Sequence, residues 1–372
     1  MEQPDKDDNA AAIVLLHAML VAGTAVATAR LRADNTNELT VTKLDFDKLL
    51  TSTRYDAWFC ENLRCSQRNF NRIYEVFRPH AAPELLQGRE HSFEKKMGFQ
   101  LLYLASSGSM KEAGLVLGIS KPYAVYTINE MLRVVCGQAG DHIRLPSSTE
   151  EWRNIMDGFA AVRGFPYVCG AVDGSLFEIA RPAEYEGWYC KDYHPAINLQ
   201  ALCDSRRRFM DFDVRPGSYS DKKTWKASKL GASVQNVLPP GAYFLADAGY
   251  TLSCELLTPY IPREEGGRLS RCQERYNYTH SATRVAIECA FGMLTQRFRL
   301  IRRQLEQKST TNCTRCILAS MILHNILIEL EDDTVDCNKR DDPSSMLEME
   351  LSTDRRDICR IKRDELASLF HP

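Results

Sequence analysis

The spacing of hydrophobic residues changes character partway along the chain. Between residues 56 and 145 apolar positions recur three and four apart, as on the buried face of helices. Trp58, Phe59 and Leu63, then Phe70, Ile73, Tyr74 and Phe77, predict two helices closed by Arg78-Pro79. The stretch that follows predicts a helix ending near Ser107-Gly108, a second over Met110 to Leu117, and a tight turn at Gly118-Ile119-Ser120. Ser120 can cap a third helix, with Pro122 tolerated in its first turn. Helix, short glycine-containing turn and helix is the helix-turn-helix pattern, although many three-helix units share it without touching DNA. On that reading Lys121, Tyr123, Ala124 and Thr127 start the recognition helix and face the groove.

After Arg163-Gly164-Phe165-Pro166 the period shortens to that of strands. The run YVCGAVDGSLFEIARP predicts a strand with Asp173 in its middle or at a bulge, and Gly174 lets another group approach the backbone. AINLQALCD and RFMDFDVRPGS follow, joined by a charged turn at Asp204 to Arg208, which together predict a three-stranded antiparallel meander. A short helix over Ser220 to Leu230 precedes GAYFLADAGY, a buried strand ending at Asp247. Tyr276 to Leu300 then forms an amphipathic helix. Ile287, Phe291, Leu294 and Phe298 share its core face, with Arg284, Glu288, Thr295 and Arg299 along one shoulder.

That element order predicts an α/β fold: a ribonuclease-H-like catalytic core preceded by an all-α helix-turn-helix-like domain. The expected extents are residues 1–55 for an N-terminal helix and linker and 56–145 for the helical domain, with a boundary near Leu145. The core takes 146–330, and 331–372 forms an acidic, then mixed tail that is either free or a partner-binding helix. Ala10 to Ala29 is long and apolar enough to span a bilayer. Its alanine content, His17 and Gly23 favour a buried or partner-packing helix, with a membrane anchor as the alternative, and no basic start marks a signal peptide.

Composition narrows this picture only a little. A net charge of −2 over 372 residues leaves nucleic-acid binding to local patches. Thirteen scattered cysteines without a dense framework point to reduced thiols in cytosol or nucleus. Cys313 and Cys316 form the one close pair, inside an apolar helical pattern, and are expected to pack in the core rather than bind zinc.

A ribonuclease-H-like core brings one acid from its first strand, one from its fourth and one from a late helix together. Converging carboxylates are stable in the ionised form only with cations between them, and hard oxygen ligands favour Mg2+ or Mn2+. Two ions about 3.5–4 Å apart suit in-line displacement at a phosphodiester without a nucleophilic side chain.

The motifs CGAVDGSLFEIARP, WYCKDYHPAINLQALCDSRRRF, PGSYSD, LADAGY, RYNYTHSATRVAIECAFGMLTQRFRL and LHNILIEL lie in order between residues 90 and 330. In these the chain resembles PIF/Harbinger-superfamily DDE transposases, including the harbinger-derived nucleases. The resemblance implies that Asp173, Asp247 and Glu288 are the catalytic and metal-binding acids. His280 and Arg284 belong to the same signature. Asp221 resembles a position close to the site, or else caps the helix that follows. Arg284 either pairs with Glu288 four residues on or binds a scissile-strand phosphate once metals occupy the acid.

Lys191, Arg297 and Arg299, with Arg302 and Arg303, are candidate phosphate contacts, and His324-Asn325 is expected to pack between elements. The chain departs from the family at Ser175-Leu176-Phe177, at Ala246 and Thr251, and at Thr295, where a lysine is common. The resemblance further implies DNA as substrate, a Myb-like DNA-targeting partner, a homo-oligomer, no membrane and a nuclear location. The expected activity is that of a metal-dependent endonuclease and transposase that joins the freed 3′-hydroxyl to target DNA. A domesticated, non-cutting chromatin- or partner-binding protein is the alternative.

Overall fold

The computed structural model describes residues 44–87, 91–183, 187–335 and 356–370. The expected helix over 10–29, the linker up to residue 43 and the tail segment 336–355 lie outside them. Residues 46–55, expected as linker, are helical. Phe46–Thr51 forms α1, with Asp45 accepting from the Lys48 amide at its N-cap. The helix exists because Phe46 and Leu49 fall on one side and bury, the Phe46 ring 6.1 Å from Phe59 and 5.8 Å from Phe70. Phe59 lies on α2, Asp56–Asn62, and Phe70 on α3, Gln67–Phe77.

The stretch read as helix-turn-helix holds three helices packed on one another, α4, Phe93–Ala105, α5, Met110–Leu117, and α6, Lys121–Cys136. A capping box between Ser109 and Glu112 starts α5. Gly118 ends it at φ 66°, which turns the chain so that the Ile119 amide donates to Gly114 O at 2.8 Å.

α7, Thr149–Arg163, leads into the sheet. Its strands are β1 (Val168–Glu178), β2 (Ala196–Cys203), β3 (Phe209–Pro216), β4 (Tyr243–Leu245) and β5 (Leu256–Leu257), in spatial order β3-β2-β1-β4-β5. The first three form the expected antiparallel meander, and β4 and β5 join in parallel. Two helices, α8 (Asp221–Ala227) and α9 (Lys229–Val237), connect β3 to β4. Alternation along the strands gives each face its own core. On one face Val172, Leu202 and Phe244 pack with Trp152, Leu230 and Val234 of α7 and α9. On the other, Ala171, Leu199 and Leu245 pack with Ile287 of α10 (Arg271–Arg297) and Met321 of α11 (Thr310–Glu329). The four residues expected on the core face of the late helix are all buried. The helix itself starts at Arg271 and stops at Arg297, with Phe298 as its C-cap.

α11 ties the two expected domains together. It packs on α6 and α3 on one side and on β3 on the other, and one hydrophobic cluster runs from Phe46 to Ala367. That cluster includes residues on both sides of Leu145. Cys313 and Cys316 are buried in α11 as expected. His324 Nε2 donates to Arg207 O at 2.9 Å, and the Asn325 amide donates to His142 O and Phe209 O, both 2.7 Å.

Two expectations about charged residues are corrected. Arg297, a candidate phosphate contact, has its side chain 1% exposed and pairs with Asp332 at 2.8 Å, while also donating to Arg64 O. Asp332 in turn accepts from the Ser66 amide and the Asn69 side chain. The acidic run after residue 330 thus begins inside the protein. The C-terminal helix α12, Arg356–Leu369, also turns a face inward: Cys359, Leu366 and Ala367 are buried, and Arg363 lies over the Tyr260 ring. Among the described residues, no helix is long and apolar enough to cross a membrane.

Removing one partner of a fully buried pair strands the other charge. Asp332→Ala should therefore destabilise the fold by about 3–5 kcal/mol in chemical denaturation. Asp333→Ala, on the exposed neighbour, should change it by no more than about 0.5 kcal/mol. Equal effects of the two would remove the pair as an anchor of α10.

Candidate active site

Register brings the first two acids together. β1 and β4 are parallel, with Ala171 opposite Leu245. Two residues further along each chain stand Asp173, still within β1, and Asp247, just past the end of β4. A residue beyond the carboxyl end of a strand is free to face a ligand. Side-chain alternation points Asp173 to the same face as Ala171, the face covered by α10.

Arg284 of α10 meets Asp173 there, its Nη1 2.9 Å from Oδ2. The other arm of the same guanidinium hydrogen-bonds Glu288, one turn further along the helix. One cation thereby joins the first and third acids, 111 positions apart for Asp173 and four for Glu288. The i,i+4 pairing expected from sequence is present, and Asp173 is its unforeseen third member.

Asp221 approaches from the opposite face of β1. Gly174 makes room for it: a Cβ at that position would lie 2.3 Å from Asp221 Oδ1. Ser220, not Asp221, is the N-cap of α8, accepting from the Lys223 amide, so the capping role is excluded. Two polar residues inside the otherwise apolar strand β2 hold this segment. Asn198 donates to Tyr219 O at 2.7 Å, and Gln200 donates to Asp221 O at 3.1 Å and to the Tyr250 hydroxyl at 2.8 Å. Neither residue, nor Tyr250, was singled out from sequence. The signal was there, as polar side chains two apart in a strand buried on both faces.

Burial and, after it, the crowding of like charge both disfavour ionisation of these acids. Burial pushes the Asp173 carboxyl up to about 6, helped by the charges of Asp247 and Asp221 and opposed by Arg284. Burial, then Asp247, also raises Asp221, while Lys191 pulls it down. Burial disfavours the charged form of Arg284, but Asp173 and Glu288 outweigh it and the guanidinium is held more firmly protonated. Among the described residues no three His, Cys, Asp or Glu side chains close into a metal-holding group.

The remaining candidates divide. Lys191 is exposed on the hairpin before β2, and Arg299 is exposed on the turn after α10. Lys121 is exposed at the start of α6 and Tyr123 is half-buried, its ring 5.2 Å from His91. Thr127 is fully buried and is corrected as a DNA contact, because α6 turns that side onto the core. His280 is buried and bonds Leu257 O at 3.1 Å, tying α10 to β5 rather than reaching the acids.

Residues 172–325 match the family described as DDE superfamily endonuclease. "Protein ALP1-like" from Arabidopsis thaliana is 27% identical over 300 residues, covering 71% of this chain and 72% of that protein. "Putative nuclease HARBI1" from Rattus norvegicus and from Homo sapiens is 29% identical over 231 residues, 60% of this chain and 64% of each relative. No solved structure matches.

Burial lowers the His280 pKa to about 3, against 6.5 for the free side chain. A folded-state value below the unfolded one means that the unfolded chain binds the proton more readily. Stability from the neutral ring is therefore present above about pH 6.5 and lost as pH falls toward 3. Asp173, with its raised pKa, acts with the opposite sign, so the comparison is made against a variant. The melting temperature of His280→Gln should fall less steeply than that of the wild type below pH 6.5, and parallel slopes would contradict the assignment.

Proposed function

We propose that this chain, which carries a DDE superfamily endonuclease domain and is homologous to the harbinger-derived nucleases, cuts phosphodiester bonds in DNA with Asp173, Asp247 and Glu288 as its metal-binding acids. The observation that carries this reading is the parallel register that aligns Asp173 with Asp247 beside Arg284 and Glu288.

The donor set fits a divalent ion. All three acids offer hard oxygen donors, which suit Mg2+ or Mn2+. The Asn198 Oδ1, buried and without a hydrogen-bond partner, faces the space over Gly174 beside Asp221. Held by Asp173, Asp247 and Glu288, Mg2+ or Mn2+ would activate a water or a 3′-hydroxyl and stabilise the leaving oxygen of an in-line displacement. The chain's own residues prepare that site. Arg284 holds Glu288 turned toward β1 and offsets charge that would otherwise push α10 away. Asn198 and Gln200 fix the start of α8, and so the position of Asp221. Lys191 offers an exposed positive charge at the same edge of the sheet, where a phosphate would lie.

In the fuller form of this reading the protein works in the nucleus on transposon ends and joins the 3′-hydroxyl to target DNA. It acts as a homo-oligomer alongside a Myb-like protein that supplies targeting. The recognition helix supports a targeting partner, since Thr127 is buried and Tyr123 partly so, leaving Lys121 as its exposed basic start.

A second reading is a non-cutting, DNA- or partner-binding derivative. The Arg284 bridge favours it, because a guanidinium that engages both Asp173 and Glu288 neutralises them without metal.

Nicking of a supercoiled plasmid separates the two. The wild type should nick with Mg2+ or Mn2+ and stop in EDTA, and Asp173→Asn or Glu288→Gln should each reduce the rate by at least about a hundredfold. Nicking at the wild-type rate by either variant would remove that acid from the site. No nicking by the wild type, with terminal-repeat DNA and a Myb-like partner supplied, would favour the second reading.

A further inference from the structure

Beside the carboxylates stands a hairpin that the acids do not need for their own positioning. It spans Trp188 to Pro195 and runs directly into β2. Tyr189 and Pro195 form a β-bridge at its base, and the Ala196 amide donates to Trp188 O at 2.9 Å. Its tip is closed twice, by the Cys190 amide on His194 O at 3.0 Å and the Tyr193 amide on Cys190 O at 3.1 Å. Cys190 is buried under the turn, its sulfur 3.5 Å from His194 Nδ1.

Tyr193 sits at this tip with φ 61°. A bulky aromatic residue is disfavoured in left-handed backbone, and such a conformation persists only where the surroundings impose it. The two tip hydrogen bonds impose it here. The result is a ring held out into solvent, 89% exposed, more than any other large hydrophobic residue among those described. Isolated exposed tyrosines are common on protein surfaces. This one differs in being fixed by a rigid hairpin two residues from Lys191, whose charge reaches Asp221.

The neighbouring loop extends the same chemistry. Ser218 N donates to Gly187 O at 3.3 Å, and Gly217 packs so closely that a Cβ there would lie 2.8 Å from both Trp188 O and Ala196 O. Hairpin and loop therefore form one rigid ledge. Tyr219 follows on that loop with the Lys223 ammonium over its ring at 3.9 Å, and Asp221 lies between the two in sequence. Aromatic rings interleaved with lysines form a surface that accepts nucleic acid through stacking and phosphate contacts. A base within a duplex has both its faces covered by its neighbours, so a solvent-facing ring can stack only on an unpaired base.

We propose that this hairpin clamps a single-stranded stretch of DNA next to the carboxylates, with the Tyr193 ring stacked on an unpaired base and Lys191 on an adjoining phosphate. This rests on the DNA-cutting reading above and adds the form of substrate: an end that is frayed or carries an overhang. Stacking is tolerant of sequence because every base has a face to offer, so the hairpin selects strand state rather than sequence.

The test is fluorescence anisotropy with the full chain in EDTA, using a duplex with a 3′ overhang carrying 2-aminopurine and a matching blunt duplex. The wild type should prefer the overhang and quench the 2-aminopurine. Tyr193→Ala should lose on the order of tenfold in overhang affinity together with the quench, while blunt-duplex binding stays the same. Tyr193→Trp should retain both. Lys191→Ala should weaken binding of both DNAs and lower the salt-dependence slope by about 1. Unchanged overhang preference or an unchanged quench in Tyr193→Ala would overturn the clamp. Since the readout needs neither metal nor cleavage, an overturned clamp leaves metal-dependent nicking standing. Failure of the wild type to bind either DNA would also remove the clamp, while nicking with metal and the Myb-like partner supplied tests the DNA-cutting reading separately.

Discussion

The Arg284 guanidinium is the interaction on which the site depends. β1 carries Asp173 in its interior and α10 carries Glu288 on the side that packs against that strand. Two carboxylates facing each other across a helix–strand contact repel, and burial makes the repulsion worse. Without a cation between them α10 would have to rotate, move outward or keep Asp173 protonated. Arg284 supplies that cation from the same helix, one turn before Glu288, so the spacing of the two residues fixes the rotation of α10 on the sheet. Burial first, and then the charges of Asp247 and Asp221, push Asp173 up to about 6 despite this partner. Among the described residues the guanidinium of Arg284 hydrogen-bonds two of the acids. The same contact therefore keeps the site assembled and competes with any divalent ion for Glu288.

The rest of the architecture holds α10 where this contact requires it. His280 ties its middle to β5 through Leu257 O, and Arg297 ties its end to Asp332. Asp332 is bonded in turn to the start of α3. α11 then joins the sheet to α6 and α3 in one core. The helical half of the protein accordingly buttresses the half that carries the sheet. The inner side of α6 packs on α4, α5 and α11, and Thr127 is buried.

Sequence pattern revealed the skeleton where periodicity was strong. The meander, the acid in β1, the acid after β4 and the apolar face of α10 all followed from spacing, because each belongs to an element long enough to repeat its pattern. β5, at two residues, is too short to carry a period. α1 escaped notice because a single buried face, Phe46 and Leu49, is surrounded by polar positions. Charged residues were the least legible. Arg297 and Arg299 stand two apart in one basic run, yet the first is buried and the second exposed. Their fates part at Phe298, where the helix ends. Which charge is buried depends on where a helix stops and on what lies opposite, here an aspartate 35 residues away, and neither is contained in local spacing. Asp221 follows the same logic: its capping role was taken by Ser220, and its place over Gly174 depends on a glycine 47 positions earlier in the chain.

On the proposed function, Asp173, Asp247 and Glu288 hold a divalent cation despite the Arg284 bridge. Mn2+ titration followed by electron paramagnetic resonance reads this without DNA and without turnover. Saturable Mn2+ binding by the wild type, lost in Asp247→Asn, is the predicted result, since Asp247 is the acid that Arg284 does not hydrogen-bond. Mn2+ binding that is absent from the wild type, or identical in Asp247→Asn, would contradict the account.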